Sequence, residues 1–277
     1  MALPATVKSL RAIFGEIVQA AREQRRHQPD PPPRGAVLEI GGGQGPHLRA
    51  DVVLDKYVGD SFERPRESAM SFSKPLVVGD GHHLPFKDQS FAYVIALHVL
   101  EHASDPSQFA AEMARVAPAG FVQVPSRASE QAFGWPYHPW LIDQRGEMLV
   151  FEPRGDLVSV AGPLLHQGFA ESASFRLWFG AHRSRWHHSV HWRSMLSVQT
   201  TGDSAAPQTA EFDLQATLGA LNEARTQPLP PAIRARLCCP VCRGDLVDLV
   251  CTSCGRAYPE ANGVPILVAE AANPVAP

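Results

Sequence analysis

The sequence has no apolar run of about 18 residues, so it predicts no membrane-spanning helix. Its N-terminus has no compact apolar stretch followed by small residues, so we expect no secretory signal and a cytoplasmic location. The 25 basic and 28 acidic residues give a formal net charge of −3, with no basic block. Nucleic acid is therefore not an expected partner, because the proteins that bind it usually carry a basic patch.

A glycine-rich stretch follows an apolar run near the start of the chain. Residues 37–40 are apolar except for Glu39, and glycines follow at Gly41, Gly43 and Gly45. This order predicts a buried strand that turns sharply, because glycine permits positive φ and lets a ligand approach the backbone. Dinucleotide-binding folds use a similar turn, so the stretch alone does not identify the ligand.

Three further strand-like runs follow at regular spacing. The second run ends at Asp55, the third is followed by Asp80, and the fourth, residues 91–97, leads into His98. Alternating strand and helix signals predict an α/β fold, a Rossmann-like doubly wound parallel sheet. Ligands bind at the carboxyl ends of such strands, where these acids stand. An acid there can hold ribose hydroxyls or accept a hydrogen bond from an exocyclic amine.

These motifs resemble those of the class I S-adenosylmethionine-dependent methyltransferases, specifically the small-molecule, methyltransferase type 11-like group, whose core reads E/D-x-G-x-G-x-G. The core here is residues 39–45, and residues 79–91 look like the third-strand block of that group. Leu100-Glu101-His102 matches the end of its fourth-strand block. The resemblance covers about residues 36–126. The chain departs from the group at Ala92, where an Asp is usual.

The resemblance implies S-adenosylmethionine as the cofactor and a role for each motif residue. Glu39 would order the glycine loop near the cofactor's amino group, while Gly41, Gly43 and Gly45 would admit its methionine and ribose parts. Asp55 would hold the ribose hydroxyls, and Asp80 with the backbone at Gly81 and His82 would surround the adenine. Leu97 and His98 would lie beside the sulfonium. The alternative is that these acids only cap helices and end strands.

Two Cys-x-x-Cys pairs lie near the other end of the chain. Cys239 and Cys242 form the first pair, and Cys251 and Cys254 form the second. Four thiolates on two tight knuckles predict a closed, structural Zn²⁺ site, since no ligand position stays open. Disulfides are the alternative, which a cytosolic location disfavours. The fifth cysteine, Cys238, is expected to be spare.

Residues 236–268 resemble a small zinc-ribbon family that includes the activator subunit of several tRNA and protein methyltransferases. In that family the ribbon docks on a methyltransferase and covers its apolar surface. Here the ribbon is joined to the same chain, so we expect it to dock intramolecularly or on a partner protein. The apolar end of the ribbon, residues 264–268, is expected to pack on the methyltransferase part.

The region between the two motifs is rich in aromatic residues and histidines, and we expect it to select the methyl acceptor. Residues 135–140 could form an aromatic pocket wall, although core packing explains them equally well. Residues 187–191 are interpreted as part of a β-hairpin whose histidines line a pocket or the surface. A hydroxyl or protonated amine acceptor needs a general base, and the catalytic candidates are His138 and His98. For His102 we expect a structural role instead.

The sequence thus predicts an N-terminal helix in residues 1–30 and a methyltransferase domain at 31–199, with its substrate region at 127–199. A linker with a short helix follows at 200–232, and the zinc ribbon occupies 233–270. The N-terminal helix either packs on the flank of the sheet, which we favour, or closes over the cofactor. The expected activity is methylation of a small molecule or glycoconjugate precursor. Methylation of tRNA or a translation protein, or a non-catalytic cofactor-binding scaffold that docks a partner enzyme, remain alternatives.

Overall fold

The structure is a computed structural model that describes residues 5–59, 70–202 and 211–274, without the side chains of residues 5–10 and 274. Its helices are α1 Ala5–Arg26, α2 Pro106–Val116, α3 Arg127–Phe133, α4 Gly162–Glu171, α5 Ala173–Ala181, α6 Arg183–Trp186, α7 Leu214–Glu223 and α8 Pro231–Arg234, with two short 3-10 helices at Leu100–His102 and Ala269–Ala271. The strands are β1 Val37–Ile40, β2 Val52–Asp55, β3 Leu76–Gly79, β4 Tyr93–Leu97, β5 Ala119–Pro125, β6 Trp140–Arg145, β7 Met148–Pro153, β8 His187–Arg193, β9 Val198–Thr200, β10 Leu246–Val247, β11 Val250–Cys251, β12 Arg256–Ala257, β13 Glu260–Ala261, β14 Val264–Leu267 and β15 Asn273–Pro274.

A sheet of eight strands, in the order β13-β14-β3-β2-β1-β4-β5-β8, forms the centre of the molecule. The five strands β3, β2, β1, β4 and β5 are parallel. Every residue of β1, β2 and β3 is buried, as expected for parallel strands that are covered on both faces. The predicted α/β fold with a doubly wound sheet is therefore confirmed.

The strand β8 lies antiparallel to β5 along its whole length, from Ala119 opposite Arg193 to Pro125 opposite His187. The predicted β-hairpin over residues 187–191 is therefore wrong. Alternating aromatic and polar residues identify a strand with two different faces, but they do not reveal which strand pairs with it. The partner here lies more than sixty residues earlier in the chain.

Local capping fixes the helices that surround the site. Asp105 accepts hydrogen bonds from the N–H groups of Ser107 and Gln108 and so begins α2, whose first residue is Pro106. Ser126 caps α3 in the same way, and Gly134 ends it with a φ of 67°. Both helices therefore begin directly at the sheet's carboxyl edge or just beyond it.

The N-terminal helix α1 packs mainly on α5 and α6 rather than on the flank of the sheet, which corrects the favoured prediction. Ser184 at the start of α6 donates its backbone N–H to Glu23 at 2.8 Å. The His27 ring lies 2.7 Å from Ser189 Oγ on β8. The predicted N-terminal helix covered residues 1–30; residues 27–30 are not helical, and residues 1–4 lie outside the described residues. Within the described part of the chain, no helix is long and apolar enough to cross a membrane.

The C-terminal segment adds to the edge of the central sheet. In β14, Ile266 pairs with Val78 and Leu267 with Gly79, both in parallel register with β3. The prediction that residues 264–268 pack on the methyltransferase part agrees with this pairing. The remaining short strands form a separate sheet in the order β10-β11-β12-β15. The C-terminal part therefore both stands as a small β unit and completes the large sheet.

The segment before the ribbon is also packed. The predicted short helix is present as α7, and its Leu221 is fully buried in a cluster with Ile266 and Val268. Arg225 N–H donates to Met70 O at 2.9 Å, which fixes the end of this segment to the main domain. Residues 203–210, where the predicted linker begins, lie outside the described residues. The described end of the linker is thus part of the core.

Candidate active site

The glycine-rich loop connects β1 to the segment that precedes β2. Gly41 and Gly43 have φ values of 73° and 52°. A Cβ on Gly41 would lie 2.3 Å from the Cγ2 atom of Val99, so no larger residue fits there. Beside the loop, the His47 N–H donates to Glu39 Oε2 at 2.6 Å. This bond fixes the end of the loop to the strand from which it leaves.

Asp80 stands directly after β3 and is held from two sides. His82 binds Oδ1 through its backbone N–H at 2.8 Å and through its ring at 2.7 Å, while Lys56 Nζ lies 2.7 Å from Oδ2. Burial alone would raise the pKa of Asp80, but these partners outweigh it and hold the pKa well below its usual range. The His82 Nε2 atom accepts a hydrogen bond from the Asp105 N–H at 3.2 Å. The ring proton of His82 is therefore on Nδ1, which donates a hydrogen bond to Asp80.

A cleft of about 170 Å³ lies at the carboxyl ends of β1 to β4. Five of the predicted cofactor residues line it: Gly41, Asp55, Asp80, Gly81 and His82. A Cβ on Gly81 would lie 2.0 Å from a ring carbon of Phe109, so the chain needs glycine here as well. The other predicted residues, Glu39, Gly43 and Gly45, belong to β1 and the glycine-rich loop. Leu97 lines a second, neighbouring cavity.

This second cavity has a volume of about 740 Å³, and we call it the aromatic cavity. Its walls come from the end of β4, the 3-10 helix, and the segments from α3 to β8. Its aromatic and histidine lining consists of His98, His102, Phe133, Trp135, Tyr137, His138, His166, Phe169, Phe179 and His187. Gly41, His98 and His102 line both the cleft and the aromatic cavity. The two spaces therefore meet at the carboxyl end of β4.

Some residues of the aromatic run 135–140 line a pocket and others pack in the core, which are the two roles that the sequence allowed. Trp135, Tyr137 and His138 line the aromatic cavity. Trp140 is only 2% exposed and donates its indole N–H to Ala103 O at 2.7 Å. Trp140 is thus a core residue that anchors β6 beneath the 3-10 helix.

Both candidate bases lie in the wall of the aromatic cavity, and the structure brings them close to Glu101. His98 has a φ of 54° and places Nδ1 3.1 Å from Glu101 Oε1 and Nε2 3.2 Å from Gln123 Oε1. The buried His138 places Nδ1 2.6 Å from Oε1 of Glu130. His187 packs against His98, and burial lowers the pKa of His187 to about 2, so its ring is neutral at neutral pH.

The four cysteines of the paired knuckles meet in one cluster. Their sulfur atoms all lie within 4.8 Å of one another. Cys239 Sγ is 3.7 Å from Cys254 Sγ, and Cys242 Sγ is 3.4 Å from Cys251 Sγ. A tetrahedral zinc site with bonds of about 2.3 Å has sulfur–sulfur edges of about 3.8 Å. The cluster therefore fits zinc binding, and all five cysteines are free of disulfides. Cys238 lies outside the cluster and is buried.

Polar contacts connect the ribbon to the methyltransferase part. Arg243, next to Cys242, lies 2.9 Å from Glu112 Oε1 on α2. The second oxygen of Glu112 accepts the Leu84 N–H at 2.9 Å. The Cys238 N–H donates to Pro85 O at 3.0 Å. The segment that carries the cysteine cluster thus contacts the loop that follows β3 and the helix α2.

Several residues of the site were not predicted from the sequence. Lys56 follows Asp55 directly, and its partnership with Asp80 depends on two neighbouring strands. Glu101 was noted only as a motif letter, although it is fully buried among histidines. Glu130 is fully buried on α3 and carried no motif signal that could have identified it.

A comparison with known protein families identifies the domain that contains the cleft. Residues 38–122, which run from β1 into β5, match a family model described as a methyltransferase domain. The chain therefore contains a methyltransferase domain over these residues. No curated protein matches the chain.

Solved structures similar to the chain include three that were named as methyltransferases or candidates. A candidate methyltransferase from Bacillus halodurans C-125 is 18% identical to this chain, with a TM-score of 0.28. The match covers 39% of this chain and 51% of the Bacillus chain, so this chain spans about half the length of that protein. A candidate histamine N-methyltransferase from Thermotoga maritima is 15% identical, with a TM-score of 0.30; the match covers 64% of this chain and 76% of the Thermotoga chain. The third structure is a complex between the Haloferax volcanii Trm112 methyltransferase activator and a candidate methyltransferase. One chain of that complex is 14% identical, with a TM-score of 0.36; the match covers 66% of this chain and 92% of the Haloferax chain.

Proposed function

We propose that this enzyme methylates a small molecule or glycoconjugate precursor that binds in the aromatic cavity. The observation that carries this proposal is the junction of the two spaces at Gly41, His98 and His102. A cavity of about 740 Å³ lies within the range of about 300–1,000 Å³ that is usual for small ligands. Its walls combine aromatic side chains with polar and charged ones, among them Glu101, Arg176 and Arg183, which could orient a polar acceptor. The net charge of −3 gives no support to a polyanionic acceptor.

The residues of the cleft suit S-adenosylmethionine. Asp55 and Asp80 provide carboxylate oxygens for hydroxyl and amine donors, and the glycine-rich loop exposes backbone beside them. Glu39 would face the cofactor's ammonium group from the start of the loop. When bound, the cofactor supplies an electrophilic methyl group on its sulfonium.

The task left to this chain is to align the acceptor and to deprotonate it. Alignment of the nucleophile with the methyl group accounts for much of the rate in such displacements. The wall at Leu97 and His98 would direct the acceptor toward the junction of the two spaces. The group of histidines around Glu101, which includes the predicted bases His98 and His138, is suited to managing the acceptor's proton.

We also propose that the four cysteines bind one structural zinc ion and that the ribbon docks on its own methyltransferase domain. The sulfur distances support the metal, and the pairing of β14 with β3 supports docking in cis. All four thiolates would bind the metal, so the ribbon would have no open position for chemistry.

The experiment is methyl transfer from tritiated S-adenosylmethionine into a cell extract that has been separated by size. We expect label in the fraction of small molecules, and we expect it to resist ribonuclease and protease. An Asp80→Asn variant, which removes the carboxylate that holds His82 and Lys56 in the cleft, should label far less at the same protein concentration. Label in RNA or in protein would contradict the proposal and favour the alternative acceptors.

A further inference from the structure

Three side chains of the metal-binding type meet in the wall of the aromatic cavity. One ligand atom from each of Glu101, His102 and His138 lies within 4.8 Å of the others. Glu101 and His102 belong to the 3-10 helix after β4, and His138 comes from the segment between α3 and β6. The fold thus assembles this group from two separate parts of the chain, well away from the cysteine cluster.

One oxygen of the carboxylate in this group has no hydrogen-bond partner among the described residues. Glu101 is fully buried, and one of its oxygens contacts His98 Nδ1 at 3.1 Å. Its other oxygen, Oε2, is buried and has no hydrogen-bond partner among the described residues. An unsatisfied buried carboxylate oxygen is costly unless a cation or a donor compensates it. A metal ion at this position would supply the missing partner.

Glu130 orients the His138 ring in a way that suits metal binding. The Glu130 side chain is fully buried, and its Oε1 atom lies 2.6 Å from His138 Nδ1. Because Nδ1 of His138 contacts Glu130, Nε2 is the ring nitrogen that remains for a metal ion. A carboxylate that receives the remote N–H of a histidine is the usual second partner of a metal-binding histidine, since it fixes the ring and raises its basicity.

We propose that Glu101, His102 and His138 together bind one divalent transition metal ion, in addition to the zinc of the ribbon. Two imidazoles and one carboxylate form a donor set that such ions bind with positions left open. The open positions would face the aromatic cavity, where the acceptor is expected. Glu130 and His98 act as positioning residues for His138 and Glu101. His138 would then be a metal ligand and no longer a base, so the metal takes over its proposed part in deprotonating the acceptor.

A metal ion at this position would suit an acceptor with a hydroxyl group, an extension that rests on the proposed function. A metal ion held there would lower the pKa of a coordinated hydroxyl, as it does for coordinated water, so that the proton could leave to solvent through the cavity. The oxygen lone pair then forms the new C–O bond while the S–C bond breaks and its electron pair stays on sulfur. The products are a methyl ether and S-adenosylhomocysteine, so no oxidant or reductant is required.

The test is a titration of the full-length protein, with its ribbon zinc in place, with Mn²⁺ alone. We expect one Mn²⁺ per chain by calorimetry and by electron paramagnetic resonance, with zinc content unchanged. Glu101→Gln and His138→Asn should each weaken Mn²⁺ binding by more than about tenfold, and Glu130→Gln by about 10- to 100-fold. His166→Asn, which changes another histidine of the aromatic cavity, should leave the affinity unchanged.

Zinc content and S-adenosylmethionine affinity show in each variant whether the protein is folded. The proposal is overturned if the native protein binds no Mn²⁺ or Zn²⁺ beyond the ribbon, or if Glu101→Gln and His138→Asn bind as the native protein does. Methyl transfer without a second metal would overturn this site and leave the proposed function standing. Metal binding that depends on Glu101 and His138 supports the site even where no small molecule is methylated.

Discussion

The role proposed for Glu39 leads to a pH dependence of cofactor binding that can be worked out from the structure. The Glu39 side chain is 2% exposed, and burial raises its pKa to about 7, although the His47 N–H and the charge of Lys74 act in the opposite direction. A cofactor ammonium group beside this carboxylate would favour its charged form and lower the pKa again. Binding below about pH 7 must therefore release a proton, so affinity is complete above that pH and is lost as the pH falls through it.

The size of the effect follows from the two pKa values. If the pKa of Glu39 returns from about 7 to its ordinary value of about 4.5 in the complex, the affinity at about pH 6 is about eightfold weaker than at about pH 7.5. The α-amino group of the cofactor also titrates, at about pH 8, and it does so equally with any variant. A comparison with Glu39→Gln therefore isolates the contribution of the carboxylate.

The assay is calorimetric titration with S-adenosylmethionine across this pH range for the native protein and for Glu39→Gln. Between about pH 7.5 and about pH 6, we expect the affinity of the native protein to fall about eightfold more than that of the variant. Proton release should appear as a binding enthalpy that depends on the ionisation heat of the buffer. Equal pH dependence of the two proteins would refute the placement of the ammonium group beside Glu39. A thermal melt of each sample confirms that the variant is folded.

Three further outcomes are expected. Asp55→Ala should weaken S-adenosylmethionine binding by about 1.5–3 kcal/mol, because it removes charged hydrogen bonds to the ribose; unchanged calorimetry would exclude that role. A Cys242→Ser/Cys254→Ser double variant should lose the zinc that elemental analysis finds in the native protein, and zinc retained by it would overturn the ligand set. Ile266→Ala should lower the free energy of unfolding by about 2–5 kcal/mol in urea, because Ile266 is fully buried on β14; an unchanged midpoint would show that β14 does not hold the sheet edge.

The carboxyl edge of the sheet could be predicted because its signals are local. Each of Glu39, Asp55 and Asp80 lies in or directly beyond a short apolar run, and parallel strands bring their carboxyl ends to one edge of a sheet. The structure places Asp55 and Asp80 in the same cleft. No long-range information was needed beyond the assumption that the strands are parallel.

The pairings that complete the molecule could not be predicted in this way. Ile266 pairs with Val78, and His187 pairs with Pro125, across segments that share no sequence pattern with their partners. The apolar run at residues 264–268 indicates burial but not the strand it joins. Glu130 likewise became part of the site only because α3 places it against His138. A residue whose role depends on a neighbour in the folded structure has no fixed sequence spacing from that neighbour, so a motif search does not detect it.

The position of β14 decides how the ribbon can influence the cofactor cleft. Lys56, the partner of Asp80, also lies 3.5 Å from Glu270 of the C-terminal segment, so a direct electrostatic connection exists. Glu270 is 52% exposed, and such a pair contributes little in water. Removal of residues 233–277 would instead leave Val78 and Gly79 of β3, the strand that ends beside Asp80, without the pairing that β14 provides. The ribbon should therefore act on cofactor binding mainly through the stability of β3, and only slightly through the charge of Glu270.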